Sequence, residues 1–92
     1  LKNNLYTIAM ARTSDPDSAT SQFFINVKDN EALNYPNAMG NGYTVFGKVI
    51  SGTQTIDAIR KVPTMVAPAP RMGRMADVPT KPVVIESATI LK

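Results

Sequence analysis

The sequence predicts a mainly β protein with one short helix and about four strands. Apolar and polar residues alternate, as in a strand with one buried face, over residues 5–11 and 83–91. Two short runs rich in apolar and β-branched residues, 23–27 and 44–50, indicate further strands. The chain has 92 residues, enough for one small domain, so we predict a single domain over residues 1–92.

The first two predicted strands flank a polar loop. In the strand at residues 5–11, Thr7 and Ala9 fall on the same face. Residues 13–20 contain an Asp-Pro-Asp-Ser run, whose short polar side chains bond their own backbone and favour a turn. Residues 23–27 form a short apolar run, which predicts a strand buried on both faces.

A longer loop is expected before the third strand. Residues 29–43 carry Asn, Pro and Gly pairs that are typical of turns, so we predict a surface loop there. Residues 44–50 then form the third predicted strand. Gly47 inside it indicates either a β-bulge or a close approach of another backbone.

One helix is predicted, with its start capped by Ser51 or Thr53 and its end set by Pro63. Apolar residues at helical spacing form one face, and two basic residues are expected in the last turn, where the helix dipole favours cations. The apolar residues are Ile56, Ile59 and Val62, and the basic residues are Arg60 and Lys61.

The C-terminal third is predicted to be a loop followed by a strand. Residues 63–82 hold most of the prolines and three of the five methionines, without strand or helix periodicity, so we predict a long Pro/Met-rich loop within the domain. Residues 83–91 alternate again and are predicted as the fourth strand. Four strands with this much loop form an open sheet with exposed edges, which predicts pairing with further polypeptide or with another copy.

The composition excludes several kinds of chemistry. Neither histidine nor cysteine occurs, so imidazole acid–base catalysis, thiolate chemistry and disulfides are excluded. The seven carboxylates lie mostly in predicted loops and lack the further oxygen ligands of a calcium site. The five glycines form no phosphate-binding motif. Neither a metal nor a cofactor is therefore expected.

The charge and hydropathy of the sequence indicate whether a nucleic acid or a membrane is expected as a partner. The net charge is +3 and the sequence pI about 9.5, but the basic residues are scattered rather than clustered, so no nucleic-acid partner is expected. No apolar run approaches the roughly 18 residues that span a bilayer, so no membrane partner is expected. The start of the chain shows no charged-then-apolar leader, and the compartment stays open between cytoplasm and periplasm.

Three motifs, in this order and spacing, resemble the second half of the cyclophilin domain, the peptidyl-prolyl cis-trans isomerase family. They are TIAMAR at 7–12, SATSQFFINV at 18–27 and YTVFGKV at 43–49. The segments 42–48 and 81–85 fit the bacterial branch best. The resemblance implies an eight-stranded antiparallel barrel capped by two helices, of which these residues supply a partial barrel.

The resemblance also implies a substrate groove. In it Gln22 hydrogen-bonds the peptide backbone, Phe24 forms the floor of the proline pocket, and Tyr43 stands where many members have histidine. Met10 and Leu33 match pocket positions, and the backbone of Ala11 and Arg12 pairs with the peptide. Considered alone, the aromatic residues and the methionine are also typical of a core. The predicted substrate-binding residues are Met10, Ala11, Arg12, Gln22, Phe24, Leu33 and Tyr43.

The resemblance places the family's catalytic arginine in a Phe-His-Arg region that these residues do not contain. None of the four arginines matches it, so no catalytic residue is assigned; they are Arg12, Arg60, Arg71 and Arg74. The implied function is isomerisation of X–Pro bonds in protein folding, with proline-containing peptides or unfolded proteins as partners. Two alternatives stay open: a non-catalytic proline-peptide module, and a half-domain that pairs with a partner chain or with itself through its open sheet edges.

Overall fold

A computed structural model describes residues 1–35, 42–69 and 73–91. The chain forms two compact units, Leu1–Asp57 and Ala58–Lys92. The described elements are β1 Thr7–Met10, β2 Phe23–Ile25, a 3-10 helix Glu31–Leu33, β3 Val45–Lys48, α1 Thr53–Ile59, β4 Thr64–Ala69 and β5 Gly73–Pro79. The prediction of a mainly β fold with one α-helix is confirmed over these residues, which form two antiparallel sheets that do not close.

The first unit contains a three-stranded antiparallel sheet with the order β2-β1-β3. In β1, Ala9 pairs with Phe24 of β2 and with Val45 of β3. The pairing of β1 with β3 shifts register between Ile8 and Ala9, and Ile8 pairs with Gly47. A Cβ atom at Gly47 would meet open space, so Gly47 marks a bulge and not a close approach of another backbone.

The interior of this unit is small and partly polar. The buried apolar residues are Ala9 and Val45, which face each other across β1 and β3. Asn3 and Asn26 are buried as well, at 0% and 1% exposure. Large apolar side chains stay exposed, among them Phe46 at 56%. The interior therefore contains little apolar surface, and its buried asparagines need hydrogen-bond partners.

The single α-helix in the described residues is shorter than the sequence predicts. It begins at Thr53 and ends at Ile59, so the cap position predicted for Ser51 or Thr53 falls on Gly52, whose carbonyl accepts from the amides of Thr55 and Ile56. Arg60 and Lys61 were expected in its last turn, which is wrong because both follow the helix. The amide of Lys61 donates to the Ala58 carbonyl at 3.2 Å, so the chain tightens to three-residue spacing as it approaches Pro63.

The second unit contains a β-hairpin where the sequence predicts a loop. Strands β4 and β5 pair antiparallel from Thr64–Pro79 to Ala69–Gly73, with a register shift between Met65 and Ala67. The prediction of a loop over 63–82 is therefore wrong for 64–69 and 73–79. In a two-stranded sheet both strands are edges, so prolines can sit where a ladder hydrogen bond is not needed.

The predicted strand over residues 83–91 is also wrong. These residues are exposed and have no regular secondary structure. Ile85 is 69% exposed and Ile90 89% exposed, so neither face of the alternating pattern is covered within the described residues. An alternating apolar and polar pattern shows that the residues suit a strand. A strand forms only where a neighbouring strand pairs with its backbone.

Candidate functional site

The candidate site begins where β1 ends, between its two neighbouring strands. The amide of Met10 donates to the Thr44 carbonyl at 2.9 Å. The next amide, of Ala11, donates to the Gln22 carbonyl, also at 2.9 Å. These two bonds bring three separate stretches of sequence to the same end of the sheet. Each stretch contains at least one predicted site residue.

Two aromatic side chains meet at this end. The rings of Phe24 and Tyr43 are edge-to-face, with centroids 5.7 Å apart and planes at 81°. Both side chains are half-buried, so each ring keeps part of its surface open to solvent. An edge-to-face pair contributes about 0.5–1.5 kcal/mol beyond the area it buries. The pair therefore offers an ordered and accessible apolar surface.

The guanidinium of Arg12 covers the Tyr43 ring of this pair. The guanidinium carbon of Arg12 lies 4.6 Å from the centroid of the Tyr43 ring, within the range of a cation–π contact. The guanidinium also donates from Nη1 to the Thr13 carbonyl at 2.8 Å and from Nη2 to the Gly42 carbonyl. Arg12 is thus held at three points. Tyr43 lies in the middle of a row that runs from Arg12 to Phe24.

The loop that carries Tyr43 is closely packed at Gly42. This buried glycine has φ of +67°, and a Cβ atom there would lie 2.6 Å from the amide nitrogen of Tyr35. Side-chain atoms are thus excluded by both conformation and space. The amide of Tyr43 then donates to the Leu33 carbonyl at 2.9 Å, which joins Leu33 of the 3-10 helix to the aromatic row through the backbone.

Two other predicted site residues, Gln22 and Met10, are connected to the site through backbone hydrogen bonds. Gln22 is exposed, and its carbonyl accepts from the Ala11 amide. The register pairs Met10 with Phe23 and Ala9 with Phe24. Successive side chains of a strand point to opposite faces, so this register does not bring the side chains of Met10 and Phe24 together. Met10 reaches the site through its backbone.

A cluster of asparagines supports the site, and the sequence analysis missed it. The Asn3 Nδ2 donates to the carbonyls of Leu33 at 3.0 Å and Tyr43 at 3.1 Å. The Asn26 Nδ2 donates to Asn3 Oδ1 at 3.0 Å and to Thr7 Oγ1 at 2.8 Å. The N-terminal segment is therefore tied directly to the backbone of two predicted site residues.

Two further asparagines extend this cluster. Asn30 Nδ2 donates to Asn26 Oδ1 at 2.8 Å, and Asn34 Oδ1 accepts from the Asn3 amide. Every buried side-chain nitrogen and oxygen in the described part of the chain has a hydrogen-bond partner. The spacing of Asn26, Asn30 and Asn34 was the available signal, but asparagine in a loop is more often interpreted as a turn former.

The described residues contain no cluster of side chains suited to hold a metal ion. No three acidic, histidine or cysteine side chains lie together within residues 1–35, 42–69 and 73–91. No helix in those ranges is both long and apolar enough to cross a membrane. The site therefore consists of ordered rings, backbone hydrogen-bonding groups, a glutamine and a guanidinium.

Comparison with known proteins places this chain in a family. A family described as "Cyclophilin type peptidyl-prolyl cis-trans isomerase/CLD" matches residues 1–90. Peptidyl-prolyl cis-trans isomerase cyp18 of Streptomyces antibioticus is 55% identical over 93 residues, which cover 99% of this chain and 53% of that protein.

Two further bacterial relatives are similar over nearly the same length. Peptidyl-prolyl cis-trans isomerase A of Dickeya dadantii is 50% identical, over 100% of this chain and 45% of that protein. Peptidyl-prolyl cis-trans isomerase B of Escherichia coli is 48% identical, over 98% of this chain and 53% of that protein. The chain thus spans about half the length of the curated relatives it matches.

Proposed function

This chain belongs to the cyclophilin-type peptidyl-prolyl cis-trans isomerase family, and on that premise we propose that it carries one wall of a groove that binds proline-containing peptides and serves isomerisation of their X–Pro bonds. The observation that carries the proposal is the Phe24–Tyr43 ring pair at the end of the sheet where the Ala11 amide bonds the Gln22 carbonyl. We further propose that residues 1–92 belong to a single cyclophilin-like domain.

The chemistry of prolyl isomerisation fits a site without acid–base groups or metals. Rotation about an X–Pro bond meets a barrier of roughly 18–20 kcal/mol, and no covalent bond breaks. A catalyst needs an apolar surface for the proline ring, and donors and acceptors that hold the flanking backbone. The half-buried rings of Phe24 and Tyr43 supply the first requirement.

Backbone and amide groups supply the second requirement. Gln22 is exposed at the end of the sheet, so its side-chain amide is free to meet a peptide backbone. Ala11 and Arg12 follow β1 directly, where an extended peptide can continue the ladder. Leu33 is half-buried and joined to Tyr43 by a backbone hydrogen bond, which supports its role as a pocket residue. Met10 contributes through its backbone bond to Thr44.

For this chain by itself we propose that binding of proline peptides is retained while catalysis of their isomerisation is weak. The 92 residues hold no match to the arginine of the family's Phe-His-Arg region. Loss of one preorganised donor from an active site typically lowers the rate by about 10²–10³. We therefore expect the chain alone to bind proline peptides and to isomerise them slowly. Binding with no turnover at all would favour the non-catalytic module.

Open sheet edges favour a second candidate function, pairing with further polypeptide or with a second copy. Strands β2 and β3 are the edges of the first sheet. An open groove of about 310 Å³ lies beside β3. Leu1 and Phe46 line it, and they are 97% and 56% exposed. Exposed apolar side chains beside an unpaired edge are typical of a surface that another chain covers.

An isomerase assay on a short Ala-Pro peptide tests the leading proposal. The chain alone is compared with the same chain supplemented by the part of Escherichia coli peptidyl-prolyl cis-trans isomerase B that lies outside the match. We expect a weak rate enhancement from the chain alone and a large one from the mixture. Peptide binding that never leads to turnover in either sample would support the module, and absence of both would reject the groove.

A further inference from the structure

The groove proposed above has a positive charge at one end. The Arg12 guanidinium covers the Tyr43 ring at 4.6 Å, and Tyr43 in turn contacts Phe24. Arg12 is half-buried, so the residue keeps part of its surface open to solvent. A cation held one ring away from the proposed proline pocket lies within reach of a peptide residue that flanks the proline.

The known partners of this guanidinium are neutral. Its two hydrogen bonds go to the backbone carbonyls of Thr13 and Gly42. Within the described residues no carboxylate pairs with it, and residues 36–41, which precede Gly42, contain no Asp or Glu. The positive charge is therefore held in place but is not compensated by this part of the chain.

Three of the five carboxylates of the same unit are engaged elsewhere. Asp57 accepts from the Tyr6 hydroxyl at 2.9 Å, and Asp29 accepts from the Leu5 amide at 2.8 Å. Asp15, in the loop after Arg12, accepts from the Asp17 amide at 2.9 Å. Each of these bonds holds its carboxylate at a position other than the guanidinium.

Arg12 also keeps unused donors. A guanidinium carries five N–H groups in a rigid fork, and the two carbonyl bonds use one from Nη1 and one from Nη2. The fork is ordered by these bonds and by the Tyr43 ring, so a carboxylate that approaches it meets donors already in position. Preorganisation of this kind lowers the entropic cost of binding.

We propose that Arg12 forms a carboxylate subsite at the end of the proline groove and gives the protein a preference for peptides with an acidic residue near the proline. The inference rests on the proposed function, because the preference for acidic peptides concerns peptides bound in the same proposed groove. It concerns the Arg12 side chain, whereas the groove itself uses the Arg12 backbone.

Affinities of four matched peptide pairs test the subsite. Each pair is an acetylated, amidated peptide with one proline, and Glu or Gln occupies one of the two positions before or the two positions after it. Titration calorimetry or NMR titration against the full chain gives the Glu/Gln affinity ratio for each position. We expect at least one position to favour Glu by about two- to fivefold at low salt, the range of an exposed ion pair.

Three controls separate the charge from other effects. The preference should shrink between about 0.01 M and about 1 M salt, because screening shortens the reach of exposed charges. Arg12→Gln should bring the ratio to one. Lys28→Gln removes the same charge from an exposed position in the same unit and should leave the ratio unchanged. A purely structural role of Arg12 would lower the affinity of both peptides and keep their ratio.

The outcomes distinguish the two proposals. Equal binding of Glu and Gln peptides at all four positions overturns the subsite and leaves the groove standing. A Glu preference that persists in Arg12→Gln also overturns the subsite, since the charge responsible then lies elsewhere. If no proline peptide binds the folded chain, the groove and the subsite both fail.

Discussion

The Tyr43 ring forms an edge-to-face pair with Phe24 and is covered by the guanidinium of Arg12, with 5.7 Å between the two ring centroids and 4.6 Å between the guanidinium carbon and the Tyr43 centroid. Arg12 and Tyr43 are far apart in sequence, yet the Gly42 carbonyl binds the guanidinium one residue before the ring. Gly42 therefore contacts the cation through its carbonyl and directly precedes the ring that the cation covers.

Phe24→Ala should weaken peptide binding much more than it weakens the fold. Phe24 is half-buried, so we expect a loss of about 1–2 kcal/mol in unfolding free energy, below the 3–5 kcal/mol typical of a fully buried phenylalanine. Removal of the pocket floor should reduce proline-peptide affinity at least about tenfold, as for an anchor residue of an interface. Urea denaturation and peptide titration measure the two effects.

Tyr43→Phe keeps the ring pair and should bind peptide normally. If its peptide affinity falls as far as that of Phe24→Ala, the ring pair does not form the pocket.

Gly42→Ala should disrupt the site through the backbone. The residue has φ of +67°, and its Cβ would lie 2.6 Å from the Tyr35 amide nitrogen, so the loop must move. We expect the unfolding free energy to fall by about 1–3 kcal/mol from strain and a displaced carbonyl. Peptide binding should fall with it. Chemical denaturation of the variant gives the stability change.

Gly47→Ala is the matched control for this prediction. Gly47 lies in β3, has no positive φ, and would place its Cβ in open space. We expect its unfolding free energy to stay within about 0.5 kcal/mol of the parent chain, as at a surface position without special features. Equal losses at Gly42 and Gly47 would show that the close packing against Tyr35 has no energetic consequence.

Asn26→Ala should be strongly destabilising. Asn26 is buried, donates to Asn3 Oδ1 and Thr7 Oγ1, and accepts from Asn30 Nδ2. The substitution removes the Asn26 donor from the buried Asn3 Oδ1, and an unsatisfied buried group costs about 1–3 kcal/mol. We expect a drop of at least about 2 kcal/mol in unfolding free energy, seen as an earlier urea midpoint. The exposed Asn4, changed to Ala, is the control, and the same midpoint for both variants would contradict a structural role of the cluster.

The sequence predicts the strands around the site better than the rest of the chain. The positions of β1, β2 and β3 follow from local alternation and short apolar runs, and the bulge follows from Gly47. These signals are local. The bonds of Asn3 to Leu33 and Tyr43 join residues 30 and 40 positions apart, and no local pattern encodes such pairing.

The C-terminal part was predicted poorly for two physical reasons. Prolines argue against a central strand, but β4 and β5 form a two-stranded sheet in the described residues, so Pro68 and Pro79 sit in edge strands. Residues 83–91 have the alternation of a strand without a neighbour in the described structure to pair with. Periodicity reports which face a residue would occupy, and the existence of a strand depends on its partner.

Self-association is expected to depend on the groove beside β3. Phe46 lines this groove together with Leu1 and is 56% exposed, in a strand that forms one edge of the sheet in the described part of the chain. Sedimentation or sizing at increasing concentration should show dimer formation by the parent chain, because burial of such apolar area yields about 25 cal/mol per Å². Phe46→Asp should shift the chain toward monomer, since a carboxylate in that groove would lose its hydration on association.

Ile50→Asp adds the same charge at a side chain that is 86% exposed and lies outside the strand, so it should associate like the parent. A parent chain that stays monomeric at high concentration, or equal effects of both variants, would rule out this groove as the contact between copies.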